Sequence, residues 1–182
     1  MPTRSPAHDL VTISVLVCVV VYYAAIAARE NDPQENNSEE KSVDVVRRIT
    51  NPYTDLIDSS ANSAGVEPAI LERLLYRESR FRPEIIDGTV KSRVGALGIA
   101  QFMPATAREW CGSVDGALNP ESAIPAAARY LAWLQKQFDG DIISAVASYN
   151  WGVGNVKRKG LANCPAETQK YVLEICGVDV KV

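Results

Sequence analysis

The stretch Leu74-Leu75-Tyr76-Arg77-Glu78-Ser79-Arg80-Phe81-Arg82-Pro83 sets one carboxylate among three arginines. A glutamate can serve there in two ways. In an ion pair with Arg77, Arg80 or Arg82 it stays ionised and helps hold the fold. On the apolar side of a helix, near the C-terminal end, desolvation and the negative pole of the helix dipole push its carboxyl towards the neutral acid. A raised carboxyl pKa is what a general acid working near neutral pH requires. The helical pattern alone leaves both readings open.

Other chemistries lack their key residues. The 182 residues contain one histidine, His8, in a polar tail ahead of an apolar run. Ser-His-Asp hydrolysis, Cys-His chemistry and histidine-containing zinc sites are therefore not expected. Four cysteines, Cys18, Cys111, Cys164 and Cys176, show no C-x-x-C spacing, so no metal and no cofactor is expected. The formal net charge of -3 gives no broad reason to bind nucleic acid or an anionic surface. A neutral polymer suits this balance better.

Beyond residue 50 the hydrophobic periodicity is helical almost throughout, which predicts an all-α domain over 51–182. The segment from Pro68 to Arg80 opens with a proline suited to a first helical turn and sets Leu71, Leu74, Leu75 and Glu78 on one face. In the next long segment Asn119 is the expected N-cap, with Pro120 in the first turn and a stripe of Ala123, Ala127, Tyr130, Leu131, Leu134 and Phe138. Asp141 to Asn150 predicts a shorter helix stopped by the glycines of Trp151-Gly152-Val153-Gly154, and Pro165 to Cys176 a last one. No run alternates convincingly as a strand.

Residues 1–28 hold a nineteen-residue stretch without a charge, Leu10 to Ala28. It is long enough to span a bilayer as one helix. It also reads as a secretory signal, because Ala25-Ile26-Ala27 has the small-x-small pattern of a cleavage site. Either reading sends the domain across a membrane, to a periplasmic, membrane-anchored or secreted location. Residues 29–50 are polar and acidic and read as a linker.

Four stretches then occur in order: Glu78-Ser79-Arg80-Phe81, Gly95 to Ala107 (GALGIAQFMPATA), Ala147 to Val156 (ASYNWGVGNV) and Glu167 to Val172 (ETQKYV). Together they resemble the lytic transglycosylases of the soluble (SLT) type, a branch of the lysozyme-like superfamily. The resemblance covers about residues 51 to 176. It implies a lysozyme-like helical domain whose groove binds peptidoglycan glycan strands. Glu78 matches the catalytic acid/base and Ser79 the serine that supports the site. Gly95, Gly98, Gln101 and Met103 match the groove segment, and Tyr149 and Asn150 a pair lining the site. Tyr171 matches a tyrosine whose hydroxyl approaches the catalytic carboxyl.

The residues themselves allow blander roles. Gly95 and Gly98 serve equally as turn glycines, and Gln101 as a satisfied core amide. Trp151, Phe81 and Phe102 at helical spacing fit a core better than a sugar face, and of the four aromatics only Tyr149 is expected to meet a sugar. Two features depart from the family's pattern. The segment Glu84 to Val94 is longer and more basic, and Gly98-Ile99-Ala100-Gln101 stands where many relatives have Gly-Leu-Met-Gln.

Glycosidases commonly pair two carboxylates, yet none of Glu84, Asp87, Glu109, Asp115 and Glu167 sits in a motif that pins it opposite Glu78. The resemblance implies substrate assistance instead, with a 1,6-anhydro-N-acetylmuramic acid product. A hydrolase using water and a non-catalytic glycan-binding assembly module are the alternatives. Wall remodelling, a secretion or conjugation apparatus and a phage particle entering a cell all suit such a domain. An exported domain can keep a disulfide. Cys164 and Cys176 flank a predicted helix that would hold them about 15 Å apart, so Cys111 is expected to pair with one of them.

Overall fold

A computed structural model describes residues 51–180. The expected hydrophobic helix at Leu10–Ala28 and the linker 29–50 lie outside the described residues. The helices, in chain order, are α1 (Thr54–Ala64), α2 (Pro68–Ser79), α3 (Pro83–Ile86), α4 (Pro104–Trp110), α5 (Pro120–Lys136), α6 (Ile142–Trp151), α7 (Val153–Lys159) and α8 (Ala166–Cys176). Short 3-10 turns at Asp115–Leu118 and Leu161–Asn163 complete the path. Among the described residues the only β pairing is a single bridge between Leu97 and Phe102. None of the described helices is long and apolar enough to cross a membrane.

Helix α5 begins as its sequence predicts, with the Asn119 side chain accepting the backbone N–H of Glu121. One face carries the buried Ala123, Ala127, Leu131 and Leu134, and it packs against α1 on one side and α6 on the other. Helix α6 starts at Asp141, whose carboxylate accepts from the N–H groups of Ile143 and Ser144. It packs in turn on α8, which also meets α2. The core lies where these five longer helices converge, around Ile57, Leu71, Leu74, Leu75, Val146 and Val172.

Gly152 ends α6 as expected, but a second short helix follows it at once. The same residue, at φ 90°, precedes the first turn of α7. Only Val156 is buried in α7, so no apolar stripe marks this helix in the sequence.

The expected disulfide does not form. Cys111 and Cys176 are free thiols. Cys111 follows α4, near Arg129, whereas Cys176 ends α8 among Arg73, Asp141 and Glu67. The two sulfurs therefore belong to different neighbourhoods, and neither is bonded to another cysteine among the described residues.

Candidate active site

Helix α2 carries the residue that raised the first question. Of its final turn, Ser79 is fully buried, and the helix stops because Arg80 turns left-handed at φ 54°. Phe81 follows at φ 52°, a second left-handed residue where only glycine sits without strain. Two devices hold this costly turn. The Ser79 hydroxyl donates to the Leu75 carbonyl at 3.1 Å and accepts the Phe81 N–H at 3.1 Å. The Phe81 ring packs against Tyr53 and Tyr76. Glu78 is thus presented by a helix end braced through Ser79 and Phe81.

Each nearby arginine has another engagement. Arg77 pairs with Glu174 on α8, Arg82 with Glu84 at 2.6 Å, and the Arg80 guanidinium lies over the Tyr76 ring at 4.8 Å. No ion pair among the described residues includes Glu78. Burial pushes its carboxyl up to about 7, against the lowering effects of the Tyr171 hydrogen bond and of Arg77, with the charge of Glu167 adding to the rise. The Tyr171 hydroxyl donates to Glu78 Oε1 at 2.5 Å. Tyr171 is itself buried on α8. Burial first, and then the charge of Glu78, hold its phenol well above the ordinary range.

The segment before α4 forms a tight turn held by Tyr149, whose phenol feels the Glu78 charge. Leu97 and Phe102 exchange backbone hydrogen bonds of 2.9 and 3.1 Å. Inside the turn Gln101 takes φ 47°, and its Nε2 donates to the Gly98 carbonyl at 2.8 Å. The carbonyl of Ala100 accepts the Tyr149 hydroxyl at 2.9 Å, which ties the turn to α6. Gly98 is required by chain packing: a Cβ there would lie 1.8 Å from the Ala117 carbonyl oxygen, at φ 67°. Gly95 is exposed at φ 80°, with open space where a Cβ would go. The longer segment Glu84 to Val94 joins the far side of this turn, where residues including Val90, Lys91 and Gly98 line a cavity of about 350 Å³.

The remaining site residues come from α4 and α6. Met103, just before α4, is 47% exposed. The Tyr149 ring stacks on Phe102 at 6.0 Å, and burial, then the Glu78 charge, raise its phenol well above 10. Asn150 is exposed, with its Oδ1 accepting from the buried Thr168 hydroxyl at 2.8 Å. That bond fixes the amide so that its N–H₂ group is free to meet a ligand acceptor. No group of three His, Cys, Asp or Glu side chains among the described residues is placed to hold a metal.

The helical end at Glu78, the turn at 97–102 and the α6–α8 pair converge on one carboxyl, and the transglycosylase SLT domain matches residues 55–172. The chain belongs to the transglycosylase SLT family. Peptidoglycan transglycosylase gp16 of Escherichia phage T7 is 40% identical over 115 residues, which make up 60% of this chain and 8% of that protein. The soluble lytic murein transglycosylase of Escherichia coli K12 is 31% identical over 113 residues, 58% of this chain and 17% of that one. Among solved structures, the 70-kDa soluble lytic transglycosylase in complex with bulgecin A aligns with a TM-score of 0.58 at 28% identity, covering 68% of this chain and 22% of its own. The chain thus spans less than a quarter of the length of each of these relatives.

Within this SLT domain, two residues of consequence escaped the sequence reading. Thr168, one turn before Tyr171 on the same side of α8, orients Asn150. Its signal was a small hydroxyl residue at i−3 from a site tyrosine. Glu174 removes Arg77 from contention as a partner for Glu78, and nothing in the sequence spacing links α2 to that carboxylate.

Proposed function

We propose that this SLT domain is a peptidoglycan lytic transglycosylase that cleaves the bond between N-acetylmuramic acid and N-acetylglucosamine. The observation that carries the reading is Glu78, a buried carboxyl held at about 7 with no ion-pair partner among the described residues and one tyrosine hydrogen bond. Such a group exists in both protonation states near neutral pH, so one residue can give and then take a proton. Protonated Glu78 delivers its proton to the bridging oxygen as the muramyl C1–O bond breaks. The sugar's own acetamide oxygen stabilises the cationic C1. The Glu78 carboxylate then takes the proton of the 6-hydroxyl as O6 bonds to C1. The product is a 1,6-anhydro sugar, water is not consumed and the acid is regenerated. Tyr171 occupies Oε1 and leaves Oε2 for both transfers. Ser79 braces the helix end, Gly98 lets the turn pack, and Gln101, Met103, Tyr149 and Asn150 line the groove that receives the strand.

A water-using hydrolase has one feature in its favour, since the charge of Glu167 reaches Glu78 and could mark a second carboxylate. Product analysis decides. On purified peptidoglycan the chain should release muropeptides ending in 1,6-anhydro-N-acetylmuramic acid, and Glu78→Gln should release none. Reducing ends in their place would give the site to a hydrolase.

Residues 1–28 are proposed to deliver the domain across a membrane, as a retained anchor or a cleaved signal, with 29–50 as spacer and the wall as the place of work. The similarity to a phage protein favours a phage setting over a secretion or conjugation apparatus. N-terminal sequencing of the mature protein separates an anchor from a signal.

A further inference from the structure

The segment Glu84 to Val94, longer and more basic than the family's pattern, walls a cavity that the Glu78 chemistry does not use. The segment folds back on itself: the Val90 N–H donates to the Glu84 carbonyl at 2.7 Å, and the Asp87 carboxylate accepts the Thr89 N–H at 2.8 Å. Gly88 brings it down onto the 3-10 turn at Asp115–Leu118, where a Cβ would lie 3.2 Å from the Leu118 side chain. The space left between is about 350 Å³, walled by Ile85, Val90, Leu97, Val114 and Leu118, and Lys91 is the one charged group of its lining. That volume falls in the range of small-molecule sites, about 300–1,000 Å³. The apolar walls are aliphatic, and no aromatic ring there offers a sugar a stacking face. Val90 is left 48% exposed, so an apolar occupant that covered it would gain by removing it from water.

We propose that this cavity binds an aliphatic carboxylate, such as a medium-chain fatty acid, with its chain among Ile85, Leu97, Val114 and Leu118 and its head group at Lys91. The occupant follows from charge complementarity. Neither Lys91 nor the exposed Arg93 forms an ion pair among the described residues, and the acid nearest Lys91 in the lining segment, Asp87, holds the Thr89 N–H. Glu84 is paired with Arg82 at 2.6 Å. An aliphatic interior beneath an unneutralised ammonium selects an apolar chain that ends in an anion. The walls are already closed by backbone hydrogen bonds, so little ordering is required when the ligand enters. Leu97 belongs both to the cavity and to the turn at 97–102, where it exchanges backbone hydrogen bonds with Phe102. An occupant therefore packs against the back of the turn that carries Gln101. The inference does not depend on the activity of Glu78.

The test uses the purified full chain with octanoate as the probe. Calorimetric titration should find octanoate bound about tenfold more tightly than octanol, through the charge-assisted contact that the alcohol lacks. Octyltrimethylammonium should bind more weakly than either, and acetate, which has the head group without the chain, should not bind. Lys91→Met, a change at an exposed position that leaves the fold intact, should bring octanoate down to the level of octanol. Val114→Phe, which fills the room for the chain, should weaken both by about tenfold or more, with an unchanged melting temperature showing that it folds. In the unmutated chain octanoate should slow amide hydrogen exchange at Leu97 and Phe102, which locates the ligand behind their turn. No octanoate binding, binding equal to that of octyltrimethylammonium, or binding untouched by Lys91→Met would overturn the proposal. So would tight binding that leaves exchange at both amides as it was, because the ligand would then sit elsewhere.

Discussion

Glu78 and Glu84 lie on either side of the Arg80–Phe81 turn, each beside an arginine, and they end in opposite states. Glu84 faces solvent and accepts from Arg82 at 2.8 Å. Its own backbone N–H and Arg82 hold its carboxyl below the usual range. Glu78 projects inward from the last turn of α2, where lost hydration outweighs Arg77 and the tyrosine bond together. An arginine nearby in sequence therefore says little about a carboxylate's charge. The direction in which the helix aims the side chain decides which partners it meets and how much water it keeps.

The widest separation between the two should appear in pH dependence. Glu78 has a folded pKa of about 7 against an ordinary 4.5. Its neutral form therefore contributes stability that is complete below 4.5 and is lost as pH rises through 7, because the folded state binds the extra proton. The unmutated protein should lose about 1–3 kcal/mol of stability across that window, and Glu78→Gln should not. Transglycosylase activity, which needs the proton, should fall as pH rises through about 7, and Glu78→Gln should lose activity by a factor of about 100 or more. Denaturant midpoints that run parallel in both proteins from pH 4.5 to 8 would place Glu78 with Glu84.

Tyr171→Phe sharpens the contrast by removing the bond that favours ionised Glu78. The carboxyl should move further up, carrying the alkaline limb of activity with it, at a stability cost of about 1–2 kcal/mol. A carbon-13 titration of the Glu78 carboxyl reads the direction, and a downward move would mean that the tyrosine supports the neutral acid instead. A smaller effect is expected at Thr168→Val, which keeps the shape and deletes the donor to Asn150. About 1 kcal/mol of stability and a severalfold rise in KM on a soluble glycan should follow, with Thr168→Ser restoring both. An unchanged KM would take Asn150 out of substrate contact. At the far end, Glu84→Gln should leave activity, its pH profile and the melting temperature where they were, since exposed ion pairs contribute little.

Much of this was legible in advance. Pro68, Asn119 and Asp141 announce their helices through local backbone chemistry, and the Leu71, Leu74, Leu75 stripe already aimed Glu78 at the core. What stayed hidden depends on chain segments brought together from a distance. Glu174 captures Arg77, and Tyr149 spends its hydroxyl on the Ala100 carbonyl while its ring packs among Phe102 and Tyr130. Helix α7 was missed for a different reason, because a helix burying one valine has no stripe to read. The Cys111 bridge failed since spacing can exclude a pair but cannot bring two sulfurs together.

The contact beneath Gly98 carries a lesson for engineering. Its missing Cβ is the room into which the Ala117 carbonyl fits, so the turn at 97–102 and the small 3-10 turn at Asp115–Leu118 are shaped as lock and key. Swapping the 95–103 segment for a relative's version, or grafting it onto another scaffold, would move only half of that fit. The transplantable unit is two pieces of chain, and libraries that diversify one while freezing the other should yield mostly insoluble members.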